Sequence, residues 1–254
     1  TLTSPAATTS QTVCINSAIN TITYDFGGTA TGAVVTGLPA GVSYSITGNM
    51  VSIVGSPSTL TGSPFTYTIT TTGGNCGTPS LTGTITVQPT ATLVLSSPAS
   101  TANQTLCVNS SITSIVYTFG GTATGATVTG LPAGVTASVS GSTVTITGSP
   151  TTVTGSPFNY TITTTGGSCG TPSLTGTITV RPLATISLTS PTGSDAQSVC
   201  AFSSIAVIRY TNGGTATGAT VTGLPVGVTA SFSGGVTTIS GVPTVPGTYP
   251  YTIT

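Results

Sequence analysis

Five cysteines are the residues of this 254-residue chain whose type and spacing best suit covalent chemistry. Cys14, Cys107 and Cys200 recur every 93 residues, and Cys76 and Cys169 each follow the preceding cysteine by 62. The simplest framework this spacing predicts is one disulfide inside each repeat, Cys14–Cys76 and Cys107–Cys169. Cys200 would then find its partner beyond the chain end. Tyr67 precedes Cys76 by nine residues, so Tyr251 predicts a cysteine near position 260. Buried free thiols are the competing reading. A Cys76–Cys107 bridge between neighbouring repeats would leave Cys14 unpaired. Any such bridge implies an oxidising compartment outside the cytosol.

No other constellation suits catalysis. The chain has two acids (Asp25, Asp195), two bases (Arg181, Arg209), and no Lys, Glu or His. Its many Ser and Thr hydroxyls therefore have no general base to activate them, and no catalytic residue is expected. Two carboxylates cannot build a calcium cage, and zinc would need clustered Cys and His, so neither a metal nor a cofactor is expected. Gly27-Gly28 lacks the Lys and helix start of a phosphate loop and reads as a turn. A basic footprint for nucleic acid is missing. No apolar run reaches the length of a membrane-spanning helix.

The elements that carry the cysteines repeat with them. GGTATGATVTGLPAGV, Gly120 to Val135, has counterparts starting at Gly27 and Gly213. A period of 93 residues exceeds that of solenoid units and suits a complete small domain. The expected modules are 1–88, 89–181 and 182–254, the third truncated at its C-terminal end. The chain reads as a window cut from a longer array. Its 62 threonines and near absence of charge predict a surface of hydroxyls and backbone. Short joins, Val87-Gln88-Pro89 and Val180-Arg181-Pro182, predict stiff beads on a string.

Within a module, period-two alternation predicts strands throughout. Ile115, Tyr117 and Phe119 share one face, and Phe158, Tyr160 and Ile162 share another. Val135, Ala137 and Val139 alternate with Thr136, Ser138 and Ser140. Leu131-Pro132-Ala133-Gly134 and Gly141-Ser142 read as turns. Leu174, Gly176, Ile178 and Val180 mark the last strand. Asp25 and Arg209 fall at outward positions. Seven or eight short strands without a helical period predict an all-β fold of tandem antiparallel β-sandwiches. Module 3 departs from the pattern at Asn212, where Phe119 stands in module 2, and at Phe232, where Val139 stands.

Three marks resemble the immunoglobulin-like repeats of very large bacterial surface proteins. They are Gly-Leu-Pro-x-Gly (Gly130 to Gly134), Ile-x-Gly-x-Pro (Ile146 to Pro150) and Tyr-Thr-Ile-Thr (Tyr160 to Thr163). The third module repeats them at Gly223 to Gly227, Ile239 to Pro243 and Tyr251 to Thr254. The Cys-containing, Thr-rich version is similar to repeats of secreted adhesins of Bacteroidetes-type bacteria, gliding-motility adhesins included. The resemblance implies an extracellular or cell-surface stalk, filament or adhesin. Its partners would be further repeats of the same chain, and lateral self-association through edge strands is open. The rival expectation is a Thr-rich sheet face that binds ice, carbohydrate or mineral. Aligned threonines across several strands would favour it.

Overall fold

The computed structural model describes residues 1–254 as three successive β-sandwiches. The first contains β1 (Ser10–Cys14), β2 (Ile22–Asp25), β3 (Gly32–Thr36), β4 (Val42–Thr47), β5 (Met50–Gly55), β6 (Phe65–Thr72) and β7 (Ser80–Gln88). The second contains β8 (Thr92–Leu95), β9 (Asn103–Cys107), β10 (Ile115–Gly120), β11 (Gly125–Thr129), β12 (Val135–Ser140), β13 (Thr143–Gly148), β14 (Phe158–Thr165) and β15 (Ser173–Arg181). The third contains β16 (Thr185–Leu188), β17 (Ile208–Gly213), β18 (Val221–Thr222), β19 (Val228–Ser233), β20 (Val236–Gly241) and β21 (Thr252–Ile253).

The second module shows the topology most fully. One sheet runs β12-β13-β10-β8 and the other β11-β14-β15-β9. The two opening strands, β8 and β9, thus divide between the sheets. This is the strand arrangement of an immunoglobulin-like sandwich. All its pairings are antiparallel except β9 with β15, which run parallel from Asn103↔Thr177 to Cys107↔Arg181. The first module has the same exception, β1 with β7, ending at Cys14↔Gln88.

Alternation places the core as expected. Ile115, Tyr117 and Phe119 of β10 meet Val144, Ile146, Tyr160, Ile162, Ile178 and Val180 in one buried cluster. In the edge strand β12 only Val135 is buried; Ala137 and Val139 are exposed, against the alternation read there. An edge strand paired on one side extends past the core, so its later residues face water. Gly134 supplies the positive φ, 86°, at the third position of the Pro132–Val135 turn, as a type II turn requires.

The third module replaces one core contact by a polar one. Asn212 and Thr237 stand where Phe119 and Val144 stand, and Thr237 Oγ1 donates to Asn212 Oδ1 at 2.8 Å. The two changes compensate, since a buried hydroxyl without an acceptor would be costly. Phe232 has no such explanation. A groove of about 660 Å³, lined by Gln197, Ile205, Ile239 and Tyr251 among others, lies where the second module seats β15.

Candidate functional site: the junction cysteines and the threonine face

Each strand-end cysteine is positioned by the parallel pair. Cys14 closes β1 opposite Gln88, the last residue of β7. Cys107 closes β9 opposite Arg181, the last residue of β15. Both therefore sit at the end of their module from which the chain leaves. The loop cysteines Cys76 and Cys169 precede β7 and β15, at the opposite end. Traversing β7 takes roughly 26 Å at about 3.3 Å per residue, far beyond the Cα separation of about 7 Å that a disulfide tolerates.

That distance overturns the pairing expected from the 62-residue spacing. Cys14 is bonded to Cys169, across the first junction, with Cα atoms 5.4 Å apart and a sequence separation of 155. Neither Cys14–Cys76 nor Cys107–Cys169 forms. Cys76, Cys107 and Cys200 are free thiols, so a Cys76–Cys107 bridge is not formed either. Cys76 and Cys200 are exposed and Cys107 is half-buried.

The junction around the bridge is short and hydrogen-bonded. Only Pro89, Thr90 and Ala91 separate β7 from β8. The Ala91 N–H donates to the Cys169 carbonyl at 2.9 Å. Ser168 Oγ donates to Gln88 Oε1 at 2.6 Å, across the junction. The Cys169 N–H donates to Thr122 Oγ1 at 3.2 Å. Gly166 holds φ at 71° and Gly170 at 99°, which lets the loop turn back over Ala91.

Two further devices fix the strand that carries the cysteine. Gln104 Nε2 donates to the Thr101 carbonyl at 2.8 Å and to the Thr113 carbonyl at 2.7 Å, while its Oε1 accepts from the Thr113 N–H at 2.8 Å. Gln11 and Gln197 make the corresponding bonds in the other modules. Tyr160 Oη is 3.1 Å from Tyr117 Oη and donates to the Ala102 carbonyl at 3.0 Å, tying β14 to the segment before β9. Burial pushes the Tyr160 phenol well above the usual tyrosine value, and its hydrogen bond to Tyr117 pushes the same way. Tyr67 is raised in the same manner beside Tyr24, and Tyr251 beside Tyr210. Gly176 leaves the space for the Tyr160 hydroxyl; a Cβ there would collide with it and with the Ala102 carbonyl. Gln104, the tyrosine pair and Gly176 were not singled out as site residues from sequence. Their recurrence was the available signal: Gln104 and Tyr117 have counterparts 93 residues away on both sides, Gly176 has Gly83, and Tyr160 has Tyr67 and Tyr251 at 93 and 91.

The second candidate is the outer face of the β11-β14-β15-β9 sheet. The register aligns Thr129, Thr161 and Thr175 in one row and Thr127, Thr163 and Ser173 in the next. In the first module Thr36, Thr68 and Thr82 form the matching row. The charged residues form no cluster at either feature; only Arg181 neighbours a junction cysteine, as the register partner of Cys107. Asp25, Arg181, Asp195 and Arg209 are all exposed, the two aspartates in different modules.

No family model matches the chain, and no curated protein matches it. Solved structures of multi-domain sandwiches do. A titin fragment is 14% identical, with 66% of this chain and 93% of that chain covered and a TM-score of 0.36. Extracellular cadherin domains 1–4 of protocadherin gamma B7 are 9% identical, covering 93% and 67%, with a TM-score of 0.42. The insect immune protein hemolin is 12% identical, covering 67% and 44%, with a TM-score of 0.41. No helix of the chain is long and apolar enough to cross a membrane.

Proposed function

We propose that the chain is a structural repeat segment of an extracellular bacterial surface stalk, filament or adhesin, with modules at 1–88, 89–181 and 182–254. The observation that carries this reading is the Cys14–Cys169 bond, which ties one module to the next. A covalent bridge at a junction serves a chain that must keep its modules in line under pull, and it persists outside the reducing cytosol. The role needs no catalytic group, cofactor or metal. Its partners are further repeats of the same kind, and the edge strands β4 and β12 offer surfaces for lateral association.

The test is imaging of the native material together with antibody labelling of intact cells. Thin beaded fibres one module wide, labelled without permeabilisation, are the expected result. Discrete short particles, or labelling only after permeabilisation, would contradict the reading.

The aligned threonine rows favour a second reading, a sheet face that binds ice, carbohydrate or mineral. Within a row, residues on neighbouring strands stand about 4.8 Å apart, which gives a regular array of hydroxyls and methyls. Co-sedimentation with crystalline polysaccharide and mineral particles, and inhibition of ice recrystallisation, test it. Loss of binding in Thr161→Val would support this reading, and absence of binding by the unaltered chain to all three surfaces would end it.

A further inference from the structure

We infer that the three free thiols are open halves of the same junction staple. Cys107 and Cys200 each bond the loop cysteine of the module that follows, and Cys76 bonds the strand-end cysteine of a module that precedes. This rests on reading the chain as a segment of an extracellular array.

The geometry of the bonded pair is already present at the unbonded positions. After Cys14 the chain turns through Asn16 at φ 63°, and Asn109 and Phe202 take φ 65° after Cys107 and Cys200. The same hydrogen bonds hold all three turns. The Asn16, Asn109 and Phe202 N–H groups donate at 2.8 Å to the carbonyls of Pro57, Pro150 and Pro243. Ser17, Ser110 and Ser203 N–H groups close the turns onto the Cys14, Cys107 and Cys200 carbonyls at 3.0, 3.1 and 3.1 Å. The loop half matches as well. Gly73 and Gly77 flank Cys76 with φ of 72° and 102°, against 71° and 99° at Gly166 and Gly170 around Cys169. Thr29 and Thr215 stand where Thr122 receives the loop, and Ala184 stands where Ala91 does. Thus the turn after each strand-end cysteine and the loop around Cys76 already have the backbone shape of the bonded pair.

Each bond removes two protons and two electrons from a pair of thiols. The disulfide of a thiol–disulfide oxidase accepts them and becomes a dithiol.

The consequence is topological. A link spanning 155 residues is longer than the 93-residue period, so successive links overlap. The covalent path entering at Cys169 leaves at Cys200, and the path entering at Cys76 leaves at Cys107, each after 31 residues. Two interleaved tracks result, each advancing two modules per 31-residue segment. The remaining residues lie off the path that carries force. At about 3.5 Å per residue, two modules yield roughly 110 Å at full extension instead of roughly 650 Å, about sixfold less.

The test is a disulfide map of the native full-length protein. Free thiols are blocked with N-ethylmaleimide, and the protein is digested with pepsin at acid pH, where exchange is suppressed. The expected map joins Cys14 to Cys169 and Cys107 to a loop cysteine nine residues or so beyond Tyr251 in the same chain. Blocked Cys107, a Cys107–Cys169 peptide, or a Cys107 bond to a second copy, seen as doubled mass on non-reducing gels, would each overturn the proposal. A Cys107→Ser variant supplies a second arm: the loop cysteine of the third module should become alkylated while Cys14–Cys169 persists. Fibres on the cell surface with cysteines unpaired would sink the staple and leave the stalk standing. The stated pairing in a protein that is not surface-exposed would do the reverse.

Discussion

Cys14, the last residue of the first module's parallel strand, is bonded to Cys169 in the hairpin loop of the second module. The bond joins the exit end of one sandwich to the entry end of the next. Residues 15–168 become a closed loop that the covalent path from one end of the chain to the other no longer needs.

Thiol counting checks this pairing directly. The folded chain should react with three equivalents of maleimide, at Cys76 and Cys200 quickly and at half-buried Cys107 slowly. Reduction followed by unfolding should raise the count to five. One reactive thiol, at Cys200, is the result that bridges inside the modules would give.

Gly176→Ala should destabilise the second module by about 2 kcal/mol or more, because the new methyl group meets the Tyr160 hydroxyl and the Ala102 carbonyl. Tyr160→Phe should cost less, about 1–2 kcal/mol, for the lost bonds to Tyr117 and Ala102. Thermal unfolding of the two variants side by side should keep that order. A neutral Gly176→Ala would contradict the packing described.

Gln104→Ala should cost about 1–3 kcal/mol, since it leaves the Thr101 and Thr113 carbonyls and the Thr113 N–H without their partner. Denaturant titration measures it. Hydrogen exchange should quicken in β9, the strand that presents Cys107. An unchanged midpoint would show that water replaces the amide without loss.

Alkali should unfold the protein more readily than mild acid. Burial and the paired hydroxyl raise the phenols of Tyr67, Tyr160 and Tyr251 above their ordinary value. Unfolded tyrosine titrates near pH 10. Above that pH the unfolded chain releases protons that the folded one retains, so stability falls as pH rises. Below it the tyrosine contribution is constant, and no histidine is present to titrate near neutrality. Melting temperature should hold across neutral pH and drop above about pH 10. Tyr160→Phe should lessen the drop.

The strands were legible because alternation acts locally: Ile115, Tyr117 and Phe119 had to share a face, and they are buried together. The staple was not legible. Spacings of 62 and 155 residues are equally regular in a periodic chain, so sequence separation could not choose between them. The choice rests on the parallel pairing of β1 with β7, which sends Cys14 to the far end of the sheet from Cys76. Tyr117 and Tyr160 were placed in the core by the same alternation, but their mutual hydrogen bond depends on how the two sheets face each other. The threonine rows likewise depend on register between β11, β14 and β15.

Stretching single molecules of this chain by their ends, with and without reductant, tests the central claim most directly. With Cys14–Cys169 intact, only residues 1–14 and 169–254 lie on the force path, and full extension should stop at roughly 350 Å. Reduction should release the closed loop and let the chain reach roughly 900 Å. Equal extension in both conditions would contradict a covalent bridge between the first and second modules.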